Sequence, residues 1–156
     1  MRIGAFEIKQ PLPDLQEPQA LAILQPWIDV GGVGSITIEL LEDYLHAKPL
    51  AKLAKPGNFL DFTRYRPIIR LTEGQRQVEM PNSFINYARE PGGNDFLFFH
   101  LLEPHMLGEV YVDSVLRVLQ KLAVRRYCLI GSMYDAVPRT KPLIVSGSTT
   151  GPAEEE

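Results

Sequence analysis

One cysteine, Cys128, occurs in 156 residues, so no disulfide can form within the chain and a reducing compartment is the expected setting. It lies in an apolar run and reads as a small buried hydrophobe rather than a reactive thiol. A basic excess is also lacking. Sixteen Lys and Arg stand against 19 Asp and Glu, and without Glu154, Glu155 and Glu156 the two signs are equal in number. That excludes a dedicated nucleic-acid binder, which would carry a cationic face. Long hydrophobic runs are missing too. The longest, from Phe96 to Leu102, is too short to span a bilayer. The N-terminus, with Arg2, Glu7 and Lys9, has no signal-peptide core. The expectation is a soluble, cytoplasmic protein with no membrane partner, no internal repeat and no low-complexity tract beyond its acidic tail.

What is present is a single α/β domain with ordinary globular composition. Ala20, Leu21, Ala22, Ile23 and Leu24 form a continuous apolar run, the mark of a strand covered on both faces. The glycine turn of Gly31, Gly32 and Gly34 follows. Ser35 then suits the N-cap of a helix over residues 36–46, with Ile36, Leu40, Leu41, Tyr44 and Leu45 as its buried stripe. Residues 49–53, 59–62, 66–71, 77–81 and 83–87 read as short strands, with Gly74 in a hairpin turn. Those over residues 60–87 are expected as an antiparallel insertion in the middle of the α/β frame. Residues 96–102 read as a central strand. Leu107, Tyr111, Val115, Leu119 and Leu122 mark an amphipathic helix over 106–122, leading to a parallel strand at Tyr127. The tail reads as a loop entering a helix whose body lies beyond Glu156.

The most basic stretch contains Arg125, Arg126, Arg139 and Lys141 against Asp135 alone. Here a polar loop with Pro138 and Pro142 runs between two apolar flanks, residues 126–131 and 143–147, both expected as strands. Constrained loops at strand ends are where α/β proteins place their contacts. Arg139 and Lys141 suit an anion or the rim of a protein interface, and Tyr134 and Trp27 suit an interface core. Other patterns are weaker. The glycine turn fits neither dinucleotide nor P-loop spacing, so close strand–helix packing explains it better than a phosphate site. His100, Glu103 and His105 are near in sequence but lack a fourth metal ligand. Gly131 and Ser132 lack the second glycine of a nucleophile elbow.

Taken together, Leu129-Ile130-Gly131, then Asp135-Ala136-Val137-Pro138-Arg139-Thr140-Lys141-Pro142 and Val145-Ser146-Gly147, resemble the family of proteasome assembly chaperone 2. Trp27, Asp29 and Gly31 look like that family's Trp-x-Asp-x-Gly turn. Phe62, Arg66-Pro67 and Glu103-Pro104 resemble further segments of it. Arg139 departs from the pattern, standing where the family usually has histidine. The resemblance implies a three-layer α/β/α sandwich similar to purine nucleoside phosphorylases. It also implies a homo-oligomer that binds protein partners, proteasome-type subunits among them, and does no catalysis with metal or cofactor. Partner contact is then expected at Tyr134, Asp135, Pro138, Arg139, Thr140, Lys141 and Pro142. The alternative is a nucleotide or other anion held at the strand ends by Trp27, Asp29, Gly31 and Gly131.

Overall fold

The computed structural model describes residues 1–72, 74–136, 138 and 140–150. The strands are β1 (Arg2–Ile3), β2 (Phe6–Ile8), β3 (Gln19–Gln25), β4 (Lys48–Leu53), β5 (Ile68–Thr72), β6 (Gln75–Glu79), β7 (Phe84–Ala88), β8 (Phe96–Leu102) and β9 (Arg126–Leu129). The helices are α1 (Val33–Tyr44) and α2 (Gly108–Lys121). Seven strands make one mixed sheet in the order β1-β2-β4-β7-β8-β3-β9, and β5 and β6 form a separate hairpin.

β8 lies at the heart of the sheet, antiparallel to β7 and parallel to β3. Its side chains alternate between the two faces. Leu97, Phe99 and Leu101 join a core with Tyr111, Val115 and Val118 of α2, while Phe98 packs with Ile23 and Ala88 against Ile38 of α1. A helix therefore covers each face, as the expected three-layer α/β/α sandwich requires. The fully apolar run is explained by double coverage, and burial of each Phe contributes about 1.5–3 kcal/mol. α2 carries the chain from β8 across β3 to β9, the parallel strand expected at Tyr127. No helix among the described residues is long and apolar enough to cross a membrane.

Several expectations are corrected. Ser35 lies inside α1 rather than at its N-cap. The buried side of α1 is Gly34 and Ile38, with Leu41 and Leu45 partly covered, whereas Ile36, Leu40 and Tyr44 face outward. Residues 59–62 form no strand. A 3-10 turn (Pro56–Asn58) precedes them, the Asp61 carboxylate accepts the Thr63 N–H, and Phe59 anchors the segment against the Tyr111 ring. The insertion is smaller than expected, because β7 belongs to the main sheet and only β5–β6 stands apart. Leu107, read as the start of the α2 stripe, is instead its N-cap in a left-handed conformation and is exposed. β9 is an edge strand with every residue exposed, so Cys128 is open to solvent. Leu143, Ile144 and Val145 form no strand and are exposed, and among the described strands none pairs beyond β9.

One buried polar group ties the α2 layer to the sheet. Ser83 Oγ accepts the Leu102 N–H at 2.9 Å and pairs with the Tyr111 hydroxyl at 2.8 Å. Burial pushes that tyrosine up to about 12, so its hydroxyl stays neutral throughout the physiological range. Ser83→Ala strands both partners in the interior and is expected to cost about 2–4 kcal/mol in urea unfolding. Tyr111→Phe leaves the Leu102 bond intact and should cost only about 1 kcal/mol. The double variant should fall well short of the sum.

Candidate functional site

The parallel strands β3, β8 and β9 end on the same edge, and the loops after β3 and β9 are laced together there. The Ser132 N–H donates to the Ile28 carbonyl at 2.7 Å, the Val30 N–H donates to the Ser132 carbonyl at 3.2 Å, and Ser132 Oγ donates to the Val30 carbonyl at 2.6 Å. Asp29 and Ser132 pair as an isolated parallel bridge. Gly131 is required by this lacing, since a Cβ there would lie 2.4 Å from the Ile28 carbonyl oxygen. Ile28 itself is held at φ 61, an uncommon conformation for a β-branched residue and a sign that the loop is over-determined.

Asp29 does what a bound anion would do at the start of α1. Its Oδ1 accepts the Gly34 N–H at 2.7 Å and the Ser35 N–H at 3.4 Å, and its Oδ2 accepts the Ser35 hydroxyl. Gln25 Nε2 donates to the same Ser35 hydroxyl oxygen at 2.7 Å. Partial burial opposes ionisation, but the Ser35 hydroxyl and the Gly34 and Ser35 N–H groups outweigh it, so the carboxyl lies below its ordinary range. Beside this network is a cavity of about 450 Å³ lined by Gln25, Pro26, Asp29, Gly32, Ser35, Tyr65 and Leu102. Tyr65 closes it, its hydroxyl donating to the Gln25 and Glu103 carbonyls at 3.1 and 3.4 Å. Among the described residues no buried side-chain nitrogen or oxygen lacks a hydrogen-bond partner.

The residues expected at a ligand site thus come together only in part. Asp29, Gly31 and Gly131 share the laced edge, with Asp29 committed to the helix. Trp27 stands 66% exposed. The partner-binding residues leave the same edge one step later. Tyr134 is 88% exposed, Asp135 accepts the Ala136 N–H, and Pro138, Thr140, Lys141 and Pro142 are open to solvent. Arg139 lies outside the described residues. Because Ile28 is bonded to Ser132, Trp27 and Tyr134 emerge from one joined pair of loops.

His100, Glu103 and His105 do not form a cluster. His100 Nε2 pairs with Glu42 of α1 at 3.0 Å, Asn86 Nδ2 donates to the same carboxylate at 2.9 Å, and the Phe84 ring stacks on the imidazole. His105 instead accepts the Asp61 N–H through Nδ1 and packs against Tyr65. No group of three metal-ligating side chains occurs among the described residues. Glu42 and Asn86 were not singled out in the sequence. The only signal was a histidine inside an apolar strand, which demands a polar partner across a layer. The Ser132 hydroxyl donates to the Val30 carbonyl, a structural bond rather than one to a base.

Removing the charge at Asp29 tests its role as the cap of α1. Asp29→Asn is expected to cost about 1–2 kcal/mol at neutral pH. A depressed carboxyl supplies stability above its unfolded pKa and loses it as pH falls through the lower folded value. Urea midpoints of the wild type should therefore drop from neutral pH to below the ordinary carboxylate range, and the Asn variant should lack this part of the drop.

The model of the PAC2 family matches residues 23–156. Among solved structures, the chain is similar to a PAC2 family protein from Streptomyces avermitilis, with 25% identity, a TM-score of 0.80, and coverage of 86% of this chain and 58% of that one. It is similar to a proteasome-assembly chaperone homologue from Mycobacterium tuberculosis, with 26% identity, a TM-score of 0.72, and coverage of 79% and 52%. It shares its fold with PbaB, an archaeal proteasome activator from Pyrococcus furiosus, at 22% identity, a TM-score of 0.61, and coverage of 83% and 51%. No curated protein matches the chain. The chain spans little more than half the length of these structures. With the family's model matching from the end of β3 through the proline–threonine loop, the chain belongs to the PAC2 family.

Proposed function

We propose that this chain is a non-catalytic protein-binding module of the proteasome-assembly-chaperone type, acting as a homo-oligomer in the cytoplasm, with proteasome-type subunits as its partners. One observation carries this reading. The β3 and β9 loops are tied together at their base, yet they present Trp27, Met133 and Tyr134 to solvent, and the exposed Lys141 follows seven residues further along the chain. Large exposed aromatic and methionine side chains on a fixed scaffold have the composition of an interface core, and a cation in the following loop suits its rim. The names of the Mycobacterium and Pyrococcus structures, a proteasome-assembly chaperone homologue and a proteasome activator, point the same way.

A second reading rests on the cavity beside Gln25 and Tyr65, since open α/β sheets take small ligands at the carboxyl ends of their parallel strands. Its polar lining is already occupied by internal hydrogen bonds, so a nucleotide or other anion would have to displace them.

The test is an affinity capture from native lysate with the wild type and with Tyr134→Ala and Lys141→Glu. Both positions are exposed, so folding should be unchanged by circular dichroism. Recovery of proteasome-type subunits by the wild type and its reduction by roughly tenfold in either variant would support the module reading. Equal recovery by all three proteins would overturn the assignment of this loop. Thermal stabilisation by nucleotides or phosphate without any captured subunit would favour the cavity instead.

A further inference from the structure

We propose that the apolar face of the β5–β6 hairpin in one copy of the chain docks on the outer face of α1 in a second copy. The inference rests on the homo-oligomeric part of the function proposed above and supplies it with an interface.

The hairpin is amphipathic. Its register pairs Ile69 with Val78 and Leu71 with Arg76, which sets these four on one face. The other face carries Arg70, Thr72, Gln75, Gln77 and Glu79 together with Ile68 at the hairpin's base, and has an Arg70–Glu79 ion pair at 2.6 Å. Such alternation specifies one covered face and one solvated face. Among the described residues the apolar face is left open, with Ile69, Leu71 and Val78 exposed by 64%, 74% and 61%. A two-stranded ribbon alone is marginal in water and needs a third surface to pack on.

α1 offers a matching surface. Val33, Ile36, Leu40 and Tyr44 recur on its outer side and are exposed by 52%, 52%, 65% and 80%. Along one edge of that stripe lie Glu39 and Asp43, a turn apart and both exposed. Neither makes an ion pair with a described residue, and nor does Arg76. The hairpin thus brings an apolar strip with a cation, and the helix an apolar stripe with two anions. Lengths agree as well. Twelve helical residues run about 18 Å and five strand residues about 17 Å. The outer face of α2 is a poorer receiver, because its Asp113 is already held by Arg117 at 2.7 Å, which leaves Glu109 as one acid against the pair on α1. A contact between unlike surfaces closes as a pair when each copy supplies both, and otherwise propagates to a ring or filament.

The experiment is sedimentation velocity and light scattering on the purified 156-residue chain over a range of concentrations. The wild type is expected to self-associate. Leu71→Asp and Leu40→Asp should each weaken association by roughly tenfold or more, with unchanged circular dichroism. An equimolar mixture of these two variants retains one intact hairpin and one intact helix face, and should associate where each alone does not. Arg76→Glu should weaken association, and Glu39→Lys with Asp43→Lys in the same chain should restore it. A chain that stays monomeric at every concentration overturns the proposal. So does association that survives both Asp substitutions. Because no other protein is present in the main measurement, its failure leaves the capture of proteasome-type subunits to be judged separately.

Discussion

A helix laid across a sheet has to choose which of its faces to bury, and in α1 that choice is made at one end by a carboxylate. Asp29 takes the N–H groups of Gly34 and Ser35 and the Ser35 hydroxyl, which fixes both the start of the helix and its rotation. With Gly34 drawn down, the backbone passes so close to β3 that a Cβ there would lie 3.0 Å from Ile23 Cγ2 and from Asp29 itself. Ile38 follows one turn later against Phe98. The same carboxylate residue bridges to Ser132, so the loop after β9 is positioned by the element that positions α1. The scaffold under the exposed Trp27 and Tyr134 and the rotation of the helix are therefore one arrangement.

That arrangement has a price at the surface. The α1 sequence contains two apolar stripes, and burying the one headed by Gly34 turns the one formed by Val33, Ile36, Leu40 and Tyr44 outward. Solvent gains nothing from holding four large apolar side chains in a row, and contiguous patches of this kind mark contact surfaces. The interior is the opposite case. Around the strand-end cavity, Gln25, Ser35, Asp29 and Tyr65 hydrogen-bond to one another or to carbonyls, which rigidifies the edge and leaves little unsatisfied polarity to attract a small ligand.

Much of the frame was legible because buried strands and amphipathic helices write themselves in local periodicity. β3, β8 and the body of α2 are read from apolar runs and four-residue steps alone, and the motif residues from Asp135 to Pro142 carried the family likeness that the matched residues bear out. What stayed hidden is what depends on neighbours. Ile36 and Ile38 are equally plausible core residues until the Asp29 contact selects between them. Cys128 and Leu129 look buried by composition, but β9 is an edge and composition does not state strand order. His100 meets Glu42 and Asn86 from two other elements, a pairing that no sequence spacing predicts.

The same distinction separates two kinds of hydrophobic residue in this chain. Phe98 and Phe99 are apolar because both faces of β8 are covered within the domain, and their neighbours account for them fully. Ile69, Leu71 and Val78 of the β5–β6 hairpin share one face with Arg76, and among the described residues they stay exposed. A strand pattern with one apolar and one polar face is the pattern of a surface that meets something. Among the described residues the large apolar side chains of β5–β6 and of outer α1 have no such cover. The free energy they can contribute by burial becomes available on contact with a further surface.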